Sequence, residues 1–205
     1  MTPAFRTARW LAGAATLALA GCASMPSGDS TSATAATATT RATAGAATIA
    51  TASTVGQALV VLVPASGSLV SGRLALRPMG DGLHLSGEIG GLTRNATHAI
   101  HIHERGDCSA ADASSAGGHF NPTGQPHGKA GTAAHHAGDM DNIVANASGV
   151  ATVNVHARGV VLGGGAGNDA IGRAVVVHAQ RDDYTSQPAG DAGARVACSV
   201  IRAGD

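Results

Sequence analysis

An all-β fold, a sandwich or flattened barrel of about eight short strands, follows from three features of the sequence. Apolar residues alternate with polar ones over stretches of six to nine residues, the period of a half-buried strand. No stretch carries a convincing amphipathic helical pattern. The 29 Gly and 7 Pro supply many turns, and with aromatics at only 2% the core must be built from Val, Ile, Leu and Ala.

Taken in order, Arg6 and Arg9 precede an apolar stretch from Trp10 to Ala20, the pattern of a bacterial secretion signal. Leu19-Ala20-Gly21-Cys22 resembles a lipobox, in which the cysteine is lipidated and becomes the first mature residue; an ordinary signal cleaved after a small residue is the alternative. Lipidation at Cys22 implies a tether to a membrane surface, not a span across one. Residues 22–56 are rich in Ala, Thr and Ser, with little to bury, and read as a flexible tether. The folded domain is expected over 57–205, about 150 residues, an ordinary single-domain size.

Within it, Ala58 to Val63, Leu69 to Arg77 and Leu83 to Ile89 are β-prone, with Met79-Gly80-Asp81-Gly82 as a hairpin turn between the second and third. Thr97 to Glu104 is the fourth strand, because Ile100 and Ile102 alternate with His101 and His103. Gly106 to Asp141 is far longer than most loops, and such loops are usually functional. Val150 to Val155, Arg173 to Ala179 and Arg195 to Ile201 complete the strands.

Composition excludes some functions. Lys+Arg and Asp+Glu are both 13, and losing Arg6 and Arg9 with the leader takes Lys+Arg to 11, so nothing favours nucleic acid. No apolar run reaches the roughly 18 residues needed to span a bilayer. The outlier is 10 His, all between His84 and His178.

Seven residues stand out as a metal-binding constellation: His101, His103, His119, His127, His136, Asp139 and His178. An edge strand with a wet polar face would explain His101 and His103 alone, but not the ligand-like spacing downstream. His136 and Asp139 are three residues apart, and His178 ends the apolar run Ala174-Val-Val-Val. Four imidazoles suit redox-active copper, and three imidazoles with a carboxylate suit tetrahedral zinc. Seven residues supply eight ligands only if one imidazolate bridges both ions.

These motifs resemble copper–zinc superoxide dismutase of the bacterial secreted branch, over nearly all of Gly91 to Ile201 and more weakly from Gln57. The resemblance implies a Greek-key β-barrel with long metal-binding and electrostatic loops. It implies one copper ion at His101, His103, His119 and His178, and one zinc ion at His119, His127, His136 and Asp139, with His119 as the bridge. Asp182 matches a carboxylate that orients a ligand of each metal, with Asp183 the alternative if the loop is shifted by one residue. Arg195 matches the arginine that guides superoxide, and Cys108 and Cys198 match a disulfide pair. His135 could compete with His136 for zinc; spacing and register favour His136. His98 matches a structural histidine, while His84 and His156 look solvent-facing.

The expected activity is therefore dismutation of superoxide to dioxygen and hydrogen peroxide in the cell envelope of a Gram-negative bacterium. The expected form is a periplasm-facing lipoprotein, anchored to the outer membrane, as monomer or homodimer. A metal-binding or metal-delivery lipoprotein is the competing reading, which the complete ligand set and Arg195 argue against. Ala99-Ile100 stands where the family has Gly-Phe, Ser199 where Gly is usual, and Asp141 where Pro is common. Lys129 is the single lysine, so lysine-based steering of superoxide is expected to be weak.

Overall fold

The computed structural model describes residues 48–204. The leader, Cys22 and the tether as far as residue 47 lie outside the described residues. Ten strands form: β1 (Ala58–Pro64), β2 (Ser71–Met79), β3 (Gly82–Gly90), β4 (Thr97–His98), β5 (Ile100–His103), β6 (Ile143–Val144), β7 (Ala151–Arg158), β8 (Ala174–His178), β9 (Arg195–Val200) and β10 (Arg202–Ala203). Every strand expected from alternation is present, although the one over Thr97 to Glu104 breaks at Ala99 into β4 and β5. The 3-10 turn Ser114–Ala116 is the one helical element among the described residues.

The alternation works as the period of two requires. On β1, Ala58, Val60 and Leu62 are buried while Leu59, Val61 and Val63 face out. The main sheet is antiparallel, ordered β5-β8-β9-β1-β2-β3-β7, with β10 beside β1. The chain leaves β3 for β5 at the far edge, returns to β7 beside β3, and crosses again to β8. These long crossings make the Greek-key pattern. The β4–β6 ladder brings the edges towards each other, since β4 runs into β5 and β6 packs on β7, so the barrel nearly closes.

One core fills the barrel, from Leu74, Leu76, Leu83, Leu85, Ile100 and Ile102 among others. A second, smaller cluster of Ala65, Ala113, Ala116, Ala174, Val176 and Cys198 lies under the loop after β5. The disulfide Cys108–Cys198 closes over that cluster and joins residues 90 apart in sequence. It fastens the loop after β5 to β9.

Part of the stretch read as tether by composition, Thr48 to Val55, is bonded to the domain. Thr54 and Val55 donate backbone N–H bonds to Leu162 O, Ser53 Oγ accepts from Leu162 N, and Ala50 exchanges two bonds with the buried side chain of Asn168. Backbone and hydroxyl bonding holds this strap, and neither shows in a hydrophobicity pattern.

Candidate metal centre

β5 places His101 and His103 on one face, at 0% and 1% exposure. That face is covered by the loops after β5 and β8, so it is not the wet face of an edge strand. The covering loop is locked by backbone bonds: Phe120 N donates to Ile102 O, Gly138 N to Phe120 O, and Ile102 N to Gly138 O, all at 2.8–2.9 Å. His119 and Asp139 flank two of these bonded residues and so are carried in against β5. A side chain at Gly138 would collide with the Ile102 carbonyl, so glycine is required for that approach. β8, buried along its whole length, delivers His178.

Two groups result. His101, His103, His119 and His178 each offer a ligand atom within 4.8 Å of the others, and so do His119, His127, His136 and Asp139. All seven sequence-predicted ligands come together, and His119 belongs to both groups. His135 belongs to neither, its Nδ1 donating to the His136 carbonyl at 2.7 Å.

Hydrogen bonds on the outer side fix which nitrogen of each ring faces inward. His103 Nδ1 donates to Gly117 O at 3.0 Å and His178 Nδ1 to Gly193 O at 3.4 Å, which leaves lone pairs on both Nε2 atoms. Those lone pairs face one another at 3.4 Å. His101 Nε2 is held by Asp182 Oδ2 at 2.9 Å, and His127 Nε2 by Asp182 Oδ1 at 2.9 Å. Asp182 therefore orients one ring of each group, while Asp183 instead bonds Thr185 and Ser186. A side chain at Gly190 would collide with the Asp182 carboxylate and crowd His127 Nε2.

The inward atoms fit a cation and are poorly served without one. His101 Nδ1 and His119 Nε2 are buried with no hydrogen-bond partner. Buried unpartnered nitrogens are costly, and here they converge with the facing lone pairs of His103 and His178. In the second group, His119 Nδ1, His127 Nδ1 and His136 Nδ1 lie 2.8, 3.1 and 3.3 Å from Asp139 Oδ1. Three imidazoles around one carboxylate oxygen match a four-coordinate ligand set.

Burial lowers the pKa of His101 to about 4 and holds His103 and His178 well below the ordinary imidazole range, with neighbouring rings adding to the shift. Burial also pulls His127 down, but the carboxylates of Asp139 and Asp182 on either side raise it to about 9. Burial raises Asp139 and Asp182 while their histidine partners lower them further, leaving both well below the carboxylate range.

These shifts give a pH dependence for the metal-free protein. His101, His103 and His178 are depressed in the fold against about 6.5 in the unfolded chain, so their contribution is present above pH 6.5 and is lost as pH falls towards 4. His127 has the opposite sign: its contribution is full below about pH 6.5 and is lost as pH rises through 9. Between pH 4.5 and 6.5 the His127 contribution stays close to full, while His101, His103, His178 and the likewise lowered His136 lose theirs, so the denaturant midpoint should be lower at pH 4.5 than at pH 6.5. Guanidinium titrations of chelator-treated protein at both pH values measure it.

Arg195 starts β9 in register with His178, across a bulge between Val177 and His178. Its guanidinium donates to Ala113 O and Gly117 O, both at 2.7 Å. Gly117 O thus serves both His103 and Arg195. Burial lowers the pKa of Arg195 and Asp112 opposes the shift. Arg195 and His178 line a recess of about 380 Å³ with Gln187, Pro188 and Gly193. The brace on Arg195 escapes sequence reading because both acceptors are backbone carbonyls. Asn142 escapes it too, though its side chain bonds both N and O of Asp182.

The face of this all-β barrel carries two groups able to hold a metal ion, with one imidazole common to both. The sequence profile of copper/zinc superoxide dismutase (SODC) matches residues 70–201. A superoxide dismutase [Cu-Zn] 2 of Aquifex aeolicus is 42% identical over 144 residues, covering 69% of this chain and 84% of that protein. A superoxide dismutase [Cu-Zn] of Caulobacter vibrioides is 40% identical over 146 residues, covering 69% and 83%. Among solved structures, a double mutant of a SOD-like protein from Bacillus subtilis superposes with a TM-score of 0.64 at 35% identity, covering 70% of this chain and 96% of that one. The chain belongs to the copper/zinc superoxide dismutase family.

Proposed function

We propose that this superoxide dismutase uses the four-histidine group for copper and the three-histidine, one-aspartate group for zinc, joined by the ring of His119. The observation that carries this reading is the sharing of His119 between the two groups. Imidazole-only ligation suits copper, and the carboxylate-containing set suits zinc. The reaction consumes two superoxide anions and two protons and yields one dioxygen and one hydrogen peroxide.

When bound at the four-histidine group, copper would supply a one-electron couple, while zinc at the group with Asp139, with its filled d shell, would supply charge and hold the rings. The chain's own residues do the rest. Arg195, fixed by two carbonyl acceptors, attracts the anion and orients it in the recess beside His178. His119 holds or releases a proton at Nε2, the atom turned to the copper group, and so supplies one of the two protons. Asp139 holds its other nitrogen, Nδ1, with the His136 ring beside it, which keeps Nε2 aimed. Asp182 fixes His101 and His127 together, so the two groups share their outer support as well as a ring.

The test is direct. Protein loaded with both metals should consume superoxide far above an equal concentration of free copper; consumption no greater than that background overturns the reading. We place the protein in the envelope, tethered through lipid on Cys22, on the strength of the leader and lipobox in the sequence. Cys22→Ser should then remove the fatty-acid label and move the protein out of the detergent-soluble membrane fraction. An unchanged distribution contradicts the anchor.

A further inference from the structure

The outer face of β1 has no part in the metal centre, and it is apolar. Leu59, Val61 and Val63 are 38%, 50% and 51% exposed along it, and Leu69, on the following loop, is 82% exposed. Alongside runs a shallow groove of about 440 Å³, floored by the disulfide and bounded by Val200 and Arg202. Both edges of β1 are already paired, with β2 on one side and β9 and β10 on the other, so no strand can be added there. Only the face is open to a partner.

The charges around the stripe say what partner it fits. Arg202 stands opposite Leu59 in register, Arg73 stands opposite Val61, and Arg77 lies four residues further along the same exposed face of β2. Arg77 is held by Gln57 Oε1 at 2.9 and 3.1 Å. No carboxylate occurs in β1, β2, β9 or β10; Glu88 on β3 stands directly opposite Arg73 on the same exposed face, without an ion pair between them, and Arg77 and Arg202 have no carboxylate opposite them in register. A second copy docked face to face would bring six arginines together against only the two Glu88 carboxylates. An apolar stripe edged by arginines is instead the pattern of a surface that lies on anionic lipid.

We propose that the β1 face docks on an anionic phospholipid bilayer, with Leu59, Val61 and Val63 at the headgroup–acyl boundary and Arg73, Arg77 and Arg202 on phosphate. This goes beyond the enzymatic reading and does not depend on it. The lipid anchor proposed at Cys22 would raise the local lipid concentration but supplies none of these contacts. The recess at Arg195 and the groove share no lining residue.

The test uses chain 23–205, which lacks the leader and the lipidated cysteine but keeps the whole barrel with its core and disulfide. Co-sedimentation is measured with vesicles of 30 mol% phosphatidylglycerol in phosphatidylcholine, and with phosphatidylcholine alone. Binding should need phosphatidylglycerol and fall steeply in 0.5 M salt. Each of Arg73→Gln and Arg202→Gln should weaken it about fivefold, and Val61→Asn should weaken it without removing the salt dependence. Zinc and copper uptake should be unchanged in all three variants, which shows that they fold. Equal binding by wild type and both arginine variants overturns the proposal. So does an absence of vesicle binding together with a dimer in sedimentation equilibrium that Val61→Asn dissociates, the sign that a second copy covers the face.

Discussion

Replacing His119 with alanine is expected to disable both metal groups at once. The ring is the one side chain common to them, so its loss leaves the four-histidine group with three imidazoles and the other with two imidazoles and Asp139. Loss of an outer supporting group costs about 10–100-fold in metal affinity, so removal of a shared ligand should cost at least about 100-fold at each group. Superoxide consumption should fall to the free-copper background. The comparison variant is His136→Ala, whose ring serves only the second group: it should release zinc and leave the four-histidine group able to take copper. Metal content after dialysis against a weak chelator, measured on both variants and the wild type, distinguishes the cases. If His119→Ala and His136→Ala lose the same metal and keep the same metal, the two groups are not joined as described.

Cys198→Ser should produce the largest loss of stability from a single substitution away from the ligands. The disulfide closes a 90-residue separation, worth roughly 4–5 kcal/mol in the chain-entropy account. Serine also places a hydroxyl in the small apolar cluster of Ala65, Ala113, Ala116, Ala174 and Val176. The functional consequence comes through the same loop, because Ala113 O and Gly117 O hold the Arg195 guanidinium. The variant should therefore unfold at a much lower guanidinium midpoint. Its catalytic efficiency should fall more than its copper content, since Arg195 loses its brace while His101 and His178 keep theirs. Equilibrium unfolding and activity per bound copper read the two effects separately. A midpoint unchanged from wild type would contradict the structural role given to the bond.

Most of the barrel and the grouping of the seven candidate residues are legible in the sequence, because strand alternation and residue spacing both reside in side chains. His101 and His103 show this well: period two puts them on one face before any fold is known. What is not legible is carried by backbone. The break at Ala99 arises where Ala99 N bonds Gln180 O and Ala99 O accepts from His178 N, pulling the strand out of its ladder. Ala99 and Ile100, which read in sequence as departures from the family pattern, are fully buried with those bonds intact. β6 and β10 are two residues each, too short to show a period. The strap from Thr48 to Gly56 looks like tether by composition, and only its bonds to Leu162 and Asn168 attach it to the domain. Asp182 is legible as a candidate, but its choice over Asp183 depends on both its oxygens reaching His101 and His127.

The central claim is that one imidazole joins two different metals. Anomalous diffraction from crystals of the metal-loaded protein, collected at the copper and zinc edges, tests it most directly. With ring nitrogens about 2.0–2.1 Å from each ion, the account predicts two peaks about 6 Å apart on either side of the His119 ring. Copper signal should lie at the four-histidine group and zinc signal at the group containing Asp139. A single peak, or two peaks that do not flank His119, would contradict it.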